Sequence, residues 1–261
     1  MEVIIRPTDR DACALVARMI AKAIRSKPYL TMGLATGRTM EALYGKLSEL
    51  HRKEGLDFSL CRTFNLDEYV GLLPSHEGSY RYYMNHHLFS KVNIDLRCTH
   101  LPNGTAHDLD AECRRYEQHI QEIGGIDIQL LGLGKSGHIG FNEPLSALRS
   151  RTRVKSLTDT TVAENCMLFQ DPKSMPRRAI TMGVGTILES RRIIMLVTGK
   201  AKAEVLAAAV EGPITAMISA SAIQLHPACT VVVDEAAASR LKGVDYYRWI
   251  FANEPEWEEF R

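Results

Sequence analysis

No stretch of this 261-residue chain approaches the roughly 20 consecutive apolar residues that a bilayer-spanning helix requires. The opening Met1-Glu2-Val3-Ile4-Ile5-Arg6-Pro7 lacks a secretory leader pattern, so a cytoplasmic protein without membrane partners is expected. Net charge is nearly absent at +1, which gives no global field for steering nucleic acid or anionic lipid. Any attraction for anions must be local. The six cysteines (Cys13, Cys61, Cys98, Cys113, Cys166, Cys229) include no C-x-x-C pair, which removes zinc-site spacing and argues for reduced thiols over a disulfide framework. Histidines 51, 76, 86, 87, 100, 107, 119 and 226 show no metal-ligand clustering. No Ser or Cys occupies a nucleophile elbow, so acyl transfer has no support. Without internal repeats, low-complexity tracts or a Pro/Gly/Ser-rich linker, residues 1–261 are expected to form a single domain.

Short apolar runs alternate with helical patterns along the chain. Strands are predicted at 2–6, 29–35, 61–66, 126–132, 192–198 and 228–234. Helices are predicted at 8–25, with Thr8 and Asp11 as a capping box, and at 39–51, 79–89, 106–123, 200–210 and 214–225. This alternation predicts an α/β fold: a doubly wound, mostly parallel sheet with helices on both faces, Rossmann-like in plan. Ligands of such folds sit beyond the carboxyl ends of the strands, at a switch point, so functional residues should follow predicted strands.

Three segments meet that condition. Gly33-Leu34-Ala35-Thr36-Gly37-Arg38-Thr39 follows the second strand and opens a helix. Free N–H groups, hydroxyls and the helix dipole would favour an anion there, and Arg38 adds a full charge. An ordinary turn with Thr39 as N-cap explains the same residues equally well. Lys135 and Lys202 supply further cations after strands, and together these turns point to a phosphate on a small substrate. Phe64-Asn65-Leu66-Asp67-Glu68-Tyr69-Val70-Gly71-Leu72 ends the third strand with paired acids. They suit a general base with a pKa raised by burial, or a solvated capping turn.

The third segment is Gly132-Leu133-Gly134-Lys135-Ser136-Gly137-His138-Ile139-Gly140-Phe141-Asn142-Glu143-Pro144. Its glycines permit tight turns and close ligand approach, while His138 and Glu143 offer a proton shuttle and an orienter. Gly132, Gly134 and Gly137 also fit the dinucleotide pattern G-x-G-x-x-G, with Asp159 roughly 20 residues on. That pattern must open a helix, yet Gly140 and Pro144 make this stretch an irregular loop. A Walker loop fails because its first glycine would be Gln129. What remains is proton transfer on a bound anionic substrate.

With these residues in view, nearly the whole chain resembles the glucosamine-6-phosphate deaminase/isomerase family. The resemblance rests on residues 33–39, 64–72 and 137–144, on Ser150-Arg151-Thr152-Arg153-Val154-Lys155, on Gly183-Val184-Gly185-Thr186 and on Leu225-His226-Pro227. The 64–72 and 137–144 motifs are specific in combination; the related 6-phosphogluconolactonases share the fold but differ at the acid motif. The resemblance implies that Asp67 moves a proton between C2 and C1 of an open-chain aminosugar phosphate, after which hydration expels ammonia. His138 would assist ring opening with Glu143 as its orienting carboxylate. Ala35, Thr36, Gly37, Arg38, Thr39 and Lys202 would hold the phosphate. No metal or organic cofactor and no nucleic acid is implied. Some relatives are hexamers activated by N-acetylglucosamine 6-phosphate, which leaves a homo-oligomer open; Ser146, Arg153 and Lys155 match that effector site, though they also suit a solvated strand edge.

Three departures stand out. Ser136, in the catalytic loop, replaces an aspartate of many relatives; Met167 stands where a phosphate-binding arginine is expected; and Arg38 replaces a glycine. Arg38 is therefore expected to supply the missing guanidinium. Glucosamine 6-phosphate is the leading substrate. Galactosamine 6-phosphate is the runner-up, and a phosphosugar lactonase or a non-catalytic phosphosugar sensor are the more distant readings.

Overall fold

The computed structural model describes residues 1–261 apart from Met167, Leu168 and Gln170. Strand β1 (Glu2–Arg6) leads into α1 (Asp9–Ser26), which begins where the sequence places it. The Thr8 hydroxyl accepts from the Asp11 amide at 3.1 Å and donates to the Asp11 carboxylate at 2.7 Å. That reciprocal cap occupies an N–H that the helix itself cannot pair. Next come β2 (Thr31–Leu34), α2 (Arg38–Glu54), β3 (Arg62–Asn65), β4 (Asp67–Tyr69), α3 (Tyr80–His87) and β5 (Thr99–His100). The middle of the chain carries α4 (Leu109–Glu122), β6 (Ile128–Leu131), β7 (Arg153–Ser156), α5 (Asp159–Asn165), β8 (Arg178–Thr181) and α6 (Val184–Leu188). The last third supplies β9 (Arg192–Val197), α7 (Ala203–Val210), β10 (Cys229–Asp234), α8 (Glu235–Ala238) and α9 (Val244–Asn253). Among the described residues no helix is long and apolar enough to cross a membrane.

Seven strands form one sheet in the order β1-β10-β9-β6-β2-β3-β5, every pairing parallel. All six residues of β10 are buried, as a strand covered on both faces requires. From β2 the chain steps outward through β3 to β5; from β6 it steps the other way through β9 to β10. The winding reverses between β2 and β6, so the crevice beyond their carboxyl ends is the switch point.

A second, antiparallel sheet of β4, β8 and β7 was not expected from the sequence. It diverges from the first sheet at one residue. The Leu66 N–H donates to Leu34 O at 3.0 Å in the large sheet, and its carbonyl accepts from Met182 N at 2.7 Å, just past β8. A small aromatic cluster of Tyr69, Tyr80, Phe141 and Phe169 packs beneath this sheet, apart from the main core.

Two other sequence expectations need correction. Residues 214–225 are not an α-helix: a Thr215–Ile218 bridge is followed by a 3-10 segment, Ser219–Leu225. The hydroxyl of Ser221 donates to Thr215 O, accepts from Thr215 N, and so competes with the helical ladder. Thr39 does not cap α2 either. Gly37 is the N-cap, and Thr39 Oγ1 lies 3.3 Å from Thr198 Oγ1 beyond β9.

Candidate active site

The β2–α2 turn sits at the switch point with its amides unspent. Gly37 has no side chain to cap α2, so the first N–H groups of the helix have no intrahelical partner. Neighbouring side chains hold the turn by its carbonyls: Tyr44 donates to Ala35 O and Tyr83 donates to Gly37 O, at 2.5 and 2.8 Å. The Thr39–Thr198 contact ties this turn to the one that carries Lys202. Lys202 is half-buried, and burial lowers its pKa. Arg38 is exposed at the start of α2. The turn of Ala35, Thr36, Gly37, Arg38 and Thr39 thus lies against the turn that carries Lys202.

The paired acids of β4 divide into two different environments. Glu68 is committed to structure: its carboxylate accepts N–H bonds from Tyr69 (2.8 Å), Tyr80 (2.9 Å) and Arg81 (3.0 Å). It thereby completes the N-terminus of α3, the helix that delivers Tyr80 and Tyr83 to the anion turn. Asp67 is 5% exposed, and among the described residues its carboxylate makes no hydrogen bond or ion pair. Burial, and then the nearby charge of Glu68, push its pKa up to about 8. A carboxyl poised there exchanges protons near neutrality.

The 132–144 loop folds back on itself so that His138 and Glu143 meet. The His138 carbonyl accepts from Gly134 N at 2.9 Å, and the imidazole packs onto Gly134. A Cβ at Gly134 would fall 2.1 Å from His138 Nε2, so this position excludes any side chain. His138 Nδ1 lies 2.7 Å from Ser136 Oγ and 3.5 Å from Glu143 Oε2. Burial alone would raise the Glu143 pKa. The neighbouring His138 and Thr161 and the bonds from Thr158 outweigh that and hold it at about 2, so the carboxylate stays charged. Its other oxygen accepts from Thr158 N at 3.2 Å and Thr158 Oγ1 at 3.1 Å. With Nδ1 occupied on the Ser136 and Glu143 side, Nε2 is the nitrogen left for a substrate.

Asp67 and this loop adjoin across the second sheet. Asp67 pairs with Thr181, whose hydroxyl accepts from Phe141 N at 3.0 Å. Gly140 has φ +55°, and a Cβ there would lie 3.4 Å from Asp67 Oδ2. Asp67 therefore abuts the loop that carries the imidazole, and a Cβ at Gly132 of that loop would lie 3.5 Å from Met40 of α2, the helix that the anion turn opens.

The residues matched to an effector site behave differently. Arg153 Nη1 donates to Asn142 Oδ1 at 2.9 Å and to Arg151 O at 3.3 Å, which turns this guanidinium inward against the 132–144 loop. Ser146 is buried, and Lys155 is half-buried two residues beyond Arg153 on β7. Met167 lies outside the described residues. Sequence reasoning passed over Thr158, Tyr80, Tyr83 and Glu164. Thr158 had a legible signal, a threonine before an acidic helical turn; the tyrosines had none.

Comparison with known proteins agrees with this geometry. The family model described as glucosamine-6-phosphate isomerases/6-phosphogluconolactonase matches residues 8–233. A glucosamine-6-phosphate deaminase of Hahella chejuensis is 48% identical over 96% of this chain and 95% of its own. A solved structure described as a monomeric glucosamine-6-phosphate deaminase superposes with a TM-score of 0.90 at 44% identity, covering 92% of this chain and 100% of the other. A 6-phosphogluconolactonase from Trypanosoma cruzi, at 20% identity and a TM-score of 0.74 over 92% of this chain and 97% of its own, shares the fold alone. By motif, fold and relatives, this chain belongs to the glucosamine-6-phosphate isomerase/6-phosphogluconolactonase family.

Proposed function

We propose that this protein is an aminosugar-phosphate deaminase that converts glucosamine 6-phosphate and water to fructose 6-phosphate and ammonia. The observation that carries the reading is Asp67: a buried carboxyl without a bonded partner among the described residues, with its pKa pushed up to about 8, beside the His138–Glu143 loop at the switch point. The identity to deaminases across the chain supports the same activity.

The anion turn (Ala35, Thr36, Gly37, Arg38, Thr39) and Lys202 bind the phosphate and fix the sugar's position, so the reacting carbons meet Asp67 without a further search. His138, held through Nδ1 by Ser136 and Glu143, moves a proton at Nε2 between the ring oxygen and the anomeric hydroxyl, which opens the pyranose. Asp67 as carboxylate removes the C2 proton of the open-chain aldehyde, leaving a 1,2-enolamine. Its return to C1 gives the 2-imine, water adds at C2, and the C–N bond breaks with release of ammonia. The residues act within one catalytic unit that uses both sheets, in a cytoplasmic setting of amino-sugar breakdown.

The test is ammonia release with glucosamine 6-phosphate and, in parallel, galactosamine 6-phosphate, run in deuterated water. Ammonia with the first and solvent deuterium at C1 of the ketose are expected. Ammonia from the galacto epimer alone moves the assignment to that substrate. No ammonia from either, with hydrolysis of 6-phosphogluconolactone, overturns it.

A further inference from the structure

Three cations stand on the turns after β2, β6 and β9, which adjoin: Thr39 Oγ1 lies 3.3 Å from Thr198 Oγ1, and a Cβ at Gly137 would lie 2.9 Å from Val205 of α7. Arg38 and Lys135 both act on the ammonium of Lys202. Lys202 is half-buried, and among the described residues neither its ammonium nor the Arg38 guanidinium has a hydrogen bond or ion pair. An unpaired, half-buried ammonium with a guanidinium nearby is a site prepared for an anion.

One carboxylate already reaches into the cluster. Glu164, on α5, places Oε1 3.3 Å from Lys135 Nζ with its side chain 17% exposed, and its charge also acts on Lys202. The position is not incidental to the catalytic loop. The N-cap of α5 is Thr158, whose hydroxyl and N–H hold Glu143, so the helix that orients the catalytic carboxylate also carries Glu164. A phosphate on Arg38 and Lys202 would sit among the same cations as this fixed negative charge, and like charges in a half-buried site repel strongly.

We propose that Glu164 sets the affinity of the cation cluster: an internal counter-ion that fixes how tightly the cluster holds phosphate. The proposal rests on reading the cluster as the phosphate site. Glu164 balances the cations while the site is empty and weakens every phosphate that enters. Free phosphate has nothing to offset that repulsion, whereas a sugar phosphate adds the contacts of its reacting end near Asp67 and His138.

The test is calorimetric titration of inorganic phosphate into the wild type, Glu164→Gln and Glu164→Ala at low ionic strength, with Tm measured for each. Both variants should bind phosphate roughly three- to tenfold more tightly, with a steeper loss of affinity on adding salt. The KM for the aminosugar phosphate should fall in parallel. Unchanged or weaker phosphate binding in folded Glu164→Gln overturns the proposal, as does phosphate binding by none of the three proteins. Tighter phosphate without ammonia release would leave Glu164's role standing and sink the deaminase reading; ammonia release with unaltered phosphate affinity would do the reverse.

Discussion

Ser136 and His138 share a 2.7 Å hydrogen bond across the tip of the catalytic loop, shorter than the 3.5 Å separating His138 from Glu143. A neutral hydroxyl, not a carboxylate, is the nearest partner of Nδ1. It fixes the ring without adding a second buried charge beside Glu143. Ser136→Ala is expected to lower kcat roughly tenfold, a loss of about 1.4 kcal/mol in transition-state stabilisation, and leave KM within about twofold. A KM that rises while kcat holds would place Ser136 in substrate binding instead.

In the proposed reaction Asp67 works as a carboxylate, and burial pushes its pKa up to about 8. Below that value the protonated fraction grows, so kcat/KM should rise with pH through an apparent pKa near 8 and level above it. Asp67→Asn should cut kcat by about 10²–10⁴-fold. A profile flat from pH 6 to 9 would remove Asp67 from the role of base.

The same residue makes a stability prediction. The folded protein holds the Asp67 proton up to about pH 8, whereas an unfolded chain releases it near 4. Between those values the native state binds more protons, so the contribution present at low pH is lost as pH climbs toward 8. Asp67→Asn should therefore be more stable than wild type at pH 8–9, on the order of 1–3 kcal/mol, with the gap narrowing toward pH 5. Denaturant midpoints at the two pH values decide this; an equal gap at both would contradict it.

Among the described residues the Arg38 guanidinium has no hydrogen bond or ion pair, and it lies at the start of α2, where the anion turn ends. Arg38→Ala should raise KM about tenfold, equivalent to about 1.4 kcal/mol, and leave kcat little changed. An unaltered KM would end its role as a phosphate ligand.

Tyr83 reaches the same turn from behind, through its hydroxyl on Gly37 O. Tyr83→Phe should cost about 1 kcal/mol of stability and raise KM several-fold, read from thermal melts and initial rates. A change in kcat alone would be inconsistent with a role confined to the turn.

The parallel sheet was legible because its strands are apolar runs after clear turns, and β1 begins and ends where alternation predicts. Asp67, His138 and Glu143 were legible as short, distinctive motifs following strands. The second sheet was not. β4 has three residues and β7 carries arginine and lysine, so neither shows the apolar pattern that announces a strand. The division of labour between Asp67 and Glu68 was hidden too, because it depends on α3 arriving beside Glu68 from twelve residues away. Glu164 could not be singled out for a similar reason: its partner Lys135 lies in another segment, joined to it by tertiary packing alone.

Leu66 gives its amide to one sheet and its carbonyl to the other, immediately before the base. The spacing between the proton-transfer centre and the anion turn is therefore written in main-chain bonds, which any residue at 66 can make except proline. Side chains around the switch point can be exchanged without shifting the Asp67 carboxyl. Substrate preference in this scaffold can drift while the reaction it performs stays put.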